Sequence, residues 1–383
     1  MTAKRATKAG DNGNYIAEWY GHRVYPSIDV SEGARAAQIN GLCPFLTEVK
    51  GEVERCAKTA AASKGVCTVS SIGNGVRRDW AVCPLRAFDL DLLQDAARRL
   101  FGYEPAAAVV MVAAPTLSDA ARRGAFVAEI AAGANGVIFF HEKAGGEIKI
   151  SATPRSPQVS FDVTLVQILP DAGGGLNLGK YGVIEIQTMD FHGSYGKATN
   201  NLNTMLAANP GQLGIEIARD PTALGEGVET PNIANVFKRT FYQMMFKFQL
   251  AAHEHSAGCI FAIPRSVWES WQRYLGAPDL EERGDGTWQL RESYSAVTEN
   301  DHPPVWIYVF DVEISDQASP NRLTVWKAIG TDARSLSHYA LDVAPAAALE
   351  AGGSADTVMA SIRRRIGNNL PLVDQHGQQQ LWS

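Results

Sequence analysis

The chain of 383 residues lacks any long apolar run. The longest, residues 106–115, falls well short of the roughly 20 residues that a membrane-spanning helix needs. The opening Met1-Thr-Ala-Lys-Arg-Ala-Thr-Lys8 has no apolar signal core either, so a soluble cytoplasmic protein with no membrane partner is expected. Internal repeats and low-complexity segments are absent, which excludes solenoid and fibrous architectures. Excess positive charge is absent too. The net charge is -6, which argues against a general polyanion binder. The balance is nevertheless uneven: the first hundred residues hold 14 Lys and Arg against 11 Asp and Glu, net +3, and the remainder carries -9. A nucleic-acid face is expected to involve the N-terminal part. With 45% hydrophobic and 20% charged residues the composition is that of a folded globular chain, long enough for two domains or one large fold with an insertion.

Cysteine is scarce, and its placement is uneven. Four of the five, Cys43, Cys56, Cys67 and Cys83, fall within the first hundred residues, and Cys43 and Cys83 each precede a proline. In a cytosolic chain such a cluster favours ligands over disulfides, and four thiolates suit tetrahedral Zn or Fe. The intervals of 13, 11 and 16 residues contain no CxxC pair, so buried free thiols remain the alternative. A metal would staple a loop-rich module at about residues 36–86, which has few large apolar residues of its own. That segment also carries Arg77, Arg78 and Arg86, either as a solvated surface or as a DNA-facing one.

Secondary structure is predicted to alternate. Helical spacing marks residues 89–100, 118–131 and 235–252, the last with a wide stripe of Val236, Phe237, Phe241, Met244 and Phe248 and with Arg239 and Lys247 largely off it. Strands are expected at 109–113, 136–140 and 305–312, and Ser266 is the expected N-cap of a helix after Pro264. The order implies an α/β fold with a mixed central sheet flanked by helices.

The chemistry concentrates between residues 161 and 187. Asp162 is followed by a strand, the turn Asp171-Ala-Gly-Gly-Gly175, and a second strand ending Glu185-Ile-Gln187. Successive strand residues face opposite sides, so Val183, Glu185 and Gln187 share one face while Ile184 and Ile186 share the other. A hairpin pairing the two runs brings Asp162 to Glu185, giving two hard oxygen donors suited to Mg²⁺. Upstream, the doubled glycine in Ala144-Gly-Gly-Glu147 predicts a turn that leaves Glu147 at the start of a strand leading towards Asp162.

The spacing Asp-x(22)-Glu-x-Gln resembles the PD-(D/E)xK nuclease motif, with Gln187 in the lysine position and Phe161 in that of the proline. More narrowly, Gly182-Val-Ile-Glu-Ile-Gln-Thr-Met-Asp-Phe-His-Gly-Ser-Tyr195, Leu42-Cys-Pro-Phe-Leu46, Asp79-Trp-Ala-Val-Cys-Pro84 and Phe261-Ala-Ile-Pro-Arg-Ser-Val-Trp-Glu-Ser-Trp271 resemble segments of the NotI-like type II restriction endonucleases. The resemblance spans roughly residues 14–314. It implies a PD-(D/E)xK core at 89–383, with 315–383 unassigned, preceded by an N-terminal part at 1–88 holding the four-cysteine module. It implies iron on Cys43, Cys56, Cys67 and Cys83, Glu147 as a third active-site acid beside Asp162, Glu185 and Gln187, and catalytic Mg²⁺. The expected activity is cleavage of both strands of a GC-rich, GGCC-centred palindrome by a homodimer. The bacterial host would need a DNA methyltransferase to protect its own sites. Arg77, Arg78, Arg86 and Arg239 are the candidates for reading guanines, since arginine pairs bidentately with guanine O6 and N7. A metal-stapled DNA-binding regulator without catalysis is the alternative, and an electron carrier built on the four cysteines is a third, which leaves Glu185 and Gln187 without a role.

Overall fold

The computed structural model describes residues 13–73, 75–251, 253–290, 303–312, 320–321, 323–350, 355–366 and 369–370. The Gln-rich C-terminal end and Ala252 of the expected 235–252 helix lie outside them.

An N-terminal four-stranded antiparallel sheet is built from β1 (Tyr15–Trp19), β2 (His22–Arg23), β3 (Val66–Gly73) and β4 (Val76–Ala81) in the order β2-β1-β3-β4. Between β2 and β3 lie α1 (Glu32–Asn40) and α2 (Pro44–Lys50). There follows α3 (Leu90–Phe101), where Asp89 accepts from the Leu92 amide and so caps the expected amphipathic helix. Next come β5 (Val109–Ala113), α4 (Ala120–Ala131) capped by Asp119, β6 (Asn135–His141), and the short ribbon of β7 (Lys149–Ile150) and β8 (Val159–Ser160). The hairpin β9 (Val163–Pro170) and β10 (Leu176–Ile186) turns at Asp171–Gly175, as its glycines predict.

The second half contains β11 (Phe191–Gly193), α5 (Gly196–Ala208), α6 (Leu213–Arg219), β12 (Val228–Pro231), α7 (Ile233–Leu250), β13 (Ser256–Pro264) and α8 (Arg265–Trp271). Strands β14 (Leu280–Glu282), β15 (Trp288–Leu290), β16 (Val305–Val312) and β17 (Leu323–Thr331) complete the sheet. The protein is thus a mixed α/β fold whose nine-stranded sheet has the order β14-β15-β17-β16-β13-β10-β9-β6-β5. β10, β13 and β16 run parallel at its centre, β9 is antiparallel to both its neighbours, and β17 is antiparallel to β16 but parallel to β15.

Helices cover both faces. α3 packs Leu92, Leu93, Ala96, Ala97 and Leu100 against Ile184, Ile186, Ile260 and Ala262. α7 and α8 pack Val236, Phe237, Met244, Phe248, Val267, Trp268 and Trp271 against Val183, Cys259, Phe261 and Ile263. The alternation along β10 therefore assigns Ile184 and Ile186 to α3 and the Glu185 face to α7, as its period of two requires.

One expectation about the helices is corrected. Ser266 does not cap α8: it lies in the first turn after Pro264, its buried Oγ has no hydrogen-bond partner, and the extended backbone of Pro264 starts the helix. The cysteine-bearing segment packs into the core beneath the large sheet. Cys43, Cys67 and Cys83 share one apolar cluster with α3 and the centre of the large sheet, while β1 and β3 pack on α5 and α6.

Arg86 accounts for part of this union. It is 1% exposed, donates from Nε to Glu18 Oε2 at 2.8 Å and from Nη2 to Glu18 Oε1 at 3.2 Å, and reaches the Asn321 carbonyl at 2.5 Å. It cannot read DNA from there, and that expectation is overturned. Removing one partner leaves a buried charge uncompensated, so Arg86→Met or Glu18→Gln should each lower stability by about 3–5 kcal/mol in urea unfolding. A midpoint equal to the parent's would refute the assignment.

Candidate active site

The register of the β9–β10 hairpin, with Ile184 opposite Val163, sets Asp162 against the end of β10. The Asp162 amide donates to Glu185 Oε1 at 3.2 Å, and Asp162 Oδ2 accepts from the Ile186 amide at 2.9 Å. Each carboxylate thus accepts from the backbone of the opposite strand, Glu185 from Asp162 and Asp162 from Ile186. Burial, followed by the Asp162 charge, pushes Glu185 up to about 8, while Lys247 opposes the rise. Asp162 is raised as well, first by burial, with the Ile186 amide and Lys247 opposing and Glu147 adding to it. Paired, desolvated carboxylates of this kind gain most from a bound cation.

Glu147 approaches from the β7–β8 ribbon. The turn expected at Gly145–Gly146 falls earlier, at Glu142–Lys143, and the two glycines follow it with φ of 93° and 83°, a left-handed conformation that glycine adopts without strain. Lys149 pairs with Ser160 and the Phe161 amide donates to Ile148 O, so the same register carries Glu147 towards Asp162. It lies within electrostatic reach of Asp162 but is not among the residues lining the cleft over the carboxylates.

That cleft, of about 510 Å³, is bounded by Asp162, Glu185 and Gln187 on one side and by α7 residues Arg239, Tyr242, Gln243 and Lys247 on the other. Gln187 is fully engaged: its Oε1 accepts from Thr240 Oγ1 at 2.8 Å and its Nε2 donates to Thr188 O at 2.5 Å. Lys247, 6% exposed, is ion-paired with Glu185 Oε2. The sequence pattern missed it because it falls off the apolar stripe of α7 and suggested a solvated position. The lysines nearer the motif are elsewhere. Lys180 lines a different surface depression, and Lys197 pairs with Glu226 in solvent.

Of the other arginines, Arg239 borders the cleft and pairs with Asp190 at 2.7 Å, remaining more than half exposed. Arg78 is half-buried and held by Glu269 at 2.8 Å. Arg77 donates to Gly13 O and lies over the Tyr15 and Tyr25 rings. A second, wider cleft of about 930 Å³ runs past Lys58, Cys83, His141, Lys143 and Asp190, and shares Pro84 with the first.

The cysteines converge below it. Burial pushes the Cys43 thiol up to about 12, the Leu46 and Phe45 amides oppose that rise, and the thiols of Cys83 and Cys56 add to it. Burial likewise raises Cys67, with Cys83 and Cys43 contributing, and raises Cys83, with Lys58 opposing first and Cys56 adding. Cys43 and Cys83 occupy similar turns, each extended before a proline that opens a helix, with φ of -114° and -123°. In each, the next two non-proline amides face the sulfur without closing a strict capping bond. Among the described residues, no group of three or more His, Cys, Asp or Glu side chains is placed so that it could hold a metal ion, at the cysteines or at the carboxylates. No helix among them is long and apolar enough to cross a membrane.

No family model matches the chain, and no curated protein matches it.

Proposed function

We propose that the protein is a Mg²⁺-dependent, site-specific endonuclease on double-stranded DNA, with a PD-(D/E)xK core of the NotI-like type. The meeting of Asp162 and Glu185 in one cleft with Gln187 carries this reading, since residues 23 and 25 positions apart in the chain bring two hard oxygen donors and an amide to one place. Asp162 and Glu185 would hold the cation, with Glu147 beside them as a further acid. When bound, Mg²⁺ polarises the scissile phosphate and favours ionisation of the attacking water. The water oxygen bonds to phosphorus as the bond to the leaving sugar oxygen breaks; that oxygen takes up a proton and the water loses one to solvent. Arg239, which lines the cleft and is held by Asp190, would meet the duplex. The wider cleft with Lys58 and Lys143 offers a continuation of that path.

One site per chain cutting both strands of a palindrome calls for a two-fold homodimer. By resemblance the target is GC-rich and centred on GGCC, and a bacterial host with a protecting methyltransferase follows. The four cysteines would hold one structural Fe or Zn, in keeping with their convergence and with the amides facing Cys43 and Cys83. The deciding experiment is incubation with GC-rich genomic DNA and Mg²⁺, followed by sequencing of the fragment ends. Ends at one recurring palindrome are expected. DNA retained without cuts would leave a binding regulator, and no retention would end both readings.

A further inference from the structure

The strand motif ends in a neutral amide, yet a cation stands in the cleft. Thr240 and Lys247 lie seven residues apart on α7, two turns along one face and about 10 Å apart. Thr240 grips Gln187 and Lys247 grips Glu185, so α7 runs against the direction of β10 and holds both motif residues. The Lys247 ammonium is buried, lies 6.0 Å from the centre of the Phe161 ring, and is felt by Asp162 as well as Glu185. A buried ammonium is costly unless a charge answers it, so its position is set by the carboxylates.

Resting on the nuclease reading, we infer that Lys247, carried by α7, supplies the positive charge that Gln187 omits from the strand, acting as a positioning residue through Glu185. A second ammonium at position 187 would displace Thr240 from the hydrogen bond that Gln187 Oε1 accepts. Lys247 therefore keeps Glu185 turned into the cleft and adds positive potential where the phosphate becomes more negative as water attacks.

The test compares Lys247→Met, Lys247→Arg, Gln187→Lys and the double variant Gln187→Lys with Lys247→Gln, on a GC-rich plasmid in single-turnover conditions. Specific DNA affinity in Ca²⁺ and Mn²⁺ binding by electron paramagnetic resonance are measured in parallel. Lys247→Met should cut about a hundredfold more slowly or worse, with DNA affinity in Ca²⁺ unchanged. Lys247→Arg should recover part of the loss. Gln187→Lys alone should be impaired, and the double variant should exceed both Gln187→Lys and Lys247→Met by at least about tenfold. Cleavage by Lys247→Met at the parent rate, or a double variant no better than those singles, overturns the inference. If the parent cuts no DNA, the nuclease reading fails, and the Mn²⁺ arm still decides. Folded Lys247→Met should bind Mn²⁺ at least as tightly as the parent, because the ammonium and the metal compete for Glu185 Oε2. Weaker binding would reduce Lys247 to a structural prop.

Discussion

Asp162→Asn and Glu185→Gln should each slow Mg²⁺-dependent cleavage by about a thousandfold or more, a rise of about 4 kcal/mol in the barrier, while specific DNA binding in Ca²⁺ persists. The two carboxylates are the hard oxygen donors facing the cleft from the strand motif, and neither makes a contact that shapes the outer surface. The amide replacements keep the oxygens that accept from the Ile186 and Asp162 backbones, so the hairpin end should stay in register. Their stabilities should differ. Burial raises both carboxylates and the Asp162 charge raises Glu185 further, whereas Glu185 lowers Asp162 through a hydrogen bond, so Asp162→Asn removes a buried charge that bears on Glu185 and should melt at or above the parent temperature. Glu185→Gln leaves the Lys247 ammonium without its direct partner and should melt lower. Loss of cleavage together with raised stability in Asp162→Asn would separate chemistry from folding. Parent-level cleavage by either variant would remove the proposed site.

The alternation of β10 was legible because one face had to be apolar: Ile184 and Ile186 could only point to a core, which left Glu185 and Gln187 together on the other side. The glycines at 173–175 made the hairpin turn legible for a local reason, while the turn expected at 145–146 falls at Glu142–Lys143. What stayed hidden was long-range. Nothing within α7 says that its polar flank covers the Glu185 face, since Lys247 and Glu185 are 62 positions apart and an amphipathic helix ordinarily shows such a lysine to water. Arg86 was misread in the same way, because its partner Glu18 is 68 positions away and a charge run offers no hint of which member is buried. The packing of Cys43, Cys67 and Cys83 with α3 and the central sheet was hidden too, because periodicity within a segment does not report which distant core its few apolar residues join.

Cys83→Ser should cost the protein both its bound transition metal and much of its stability, with solubility and DNA affinity falling together. If Cys43, Cys56, Cys67 and Cys83 hold one tetrahedral ion, purified protein should contain about one Fe or Zn per chain, which Mg²⁺ neither supplies nor replaces, since thiolates are soft ligands and Mg²⁺ a hard ion. Binding of such an ion is worth on the order of 10 kcal/mol at neutral pH, comparable with the stability of a whole domain. The loss should not stay local. Cys43, Cys67 and Cys83 belong to the same buried cluster as Leu92, Leu93, Ile184 and Ile186, and Pro84, next to Cys83, borders both clefts. Slackening at the cysteines therefore reaches the apolar side of β10, directly behind Glu185. Cys259→Ser is the control: that thiol is buried on the α7 side with Val183 and Phe261, in a separate cluster, and its replacement should leave metal content unchanged. Active protein without stoichiometric Fe or Zn would defeat the metal and leave the four cysteines as packed thiols, and the nuclease reading, which rests on Asp162, Glu185 and Gln187, would be untouched.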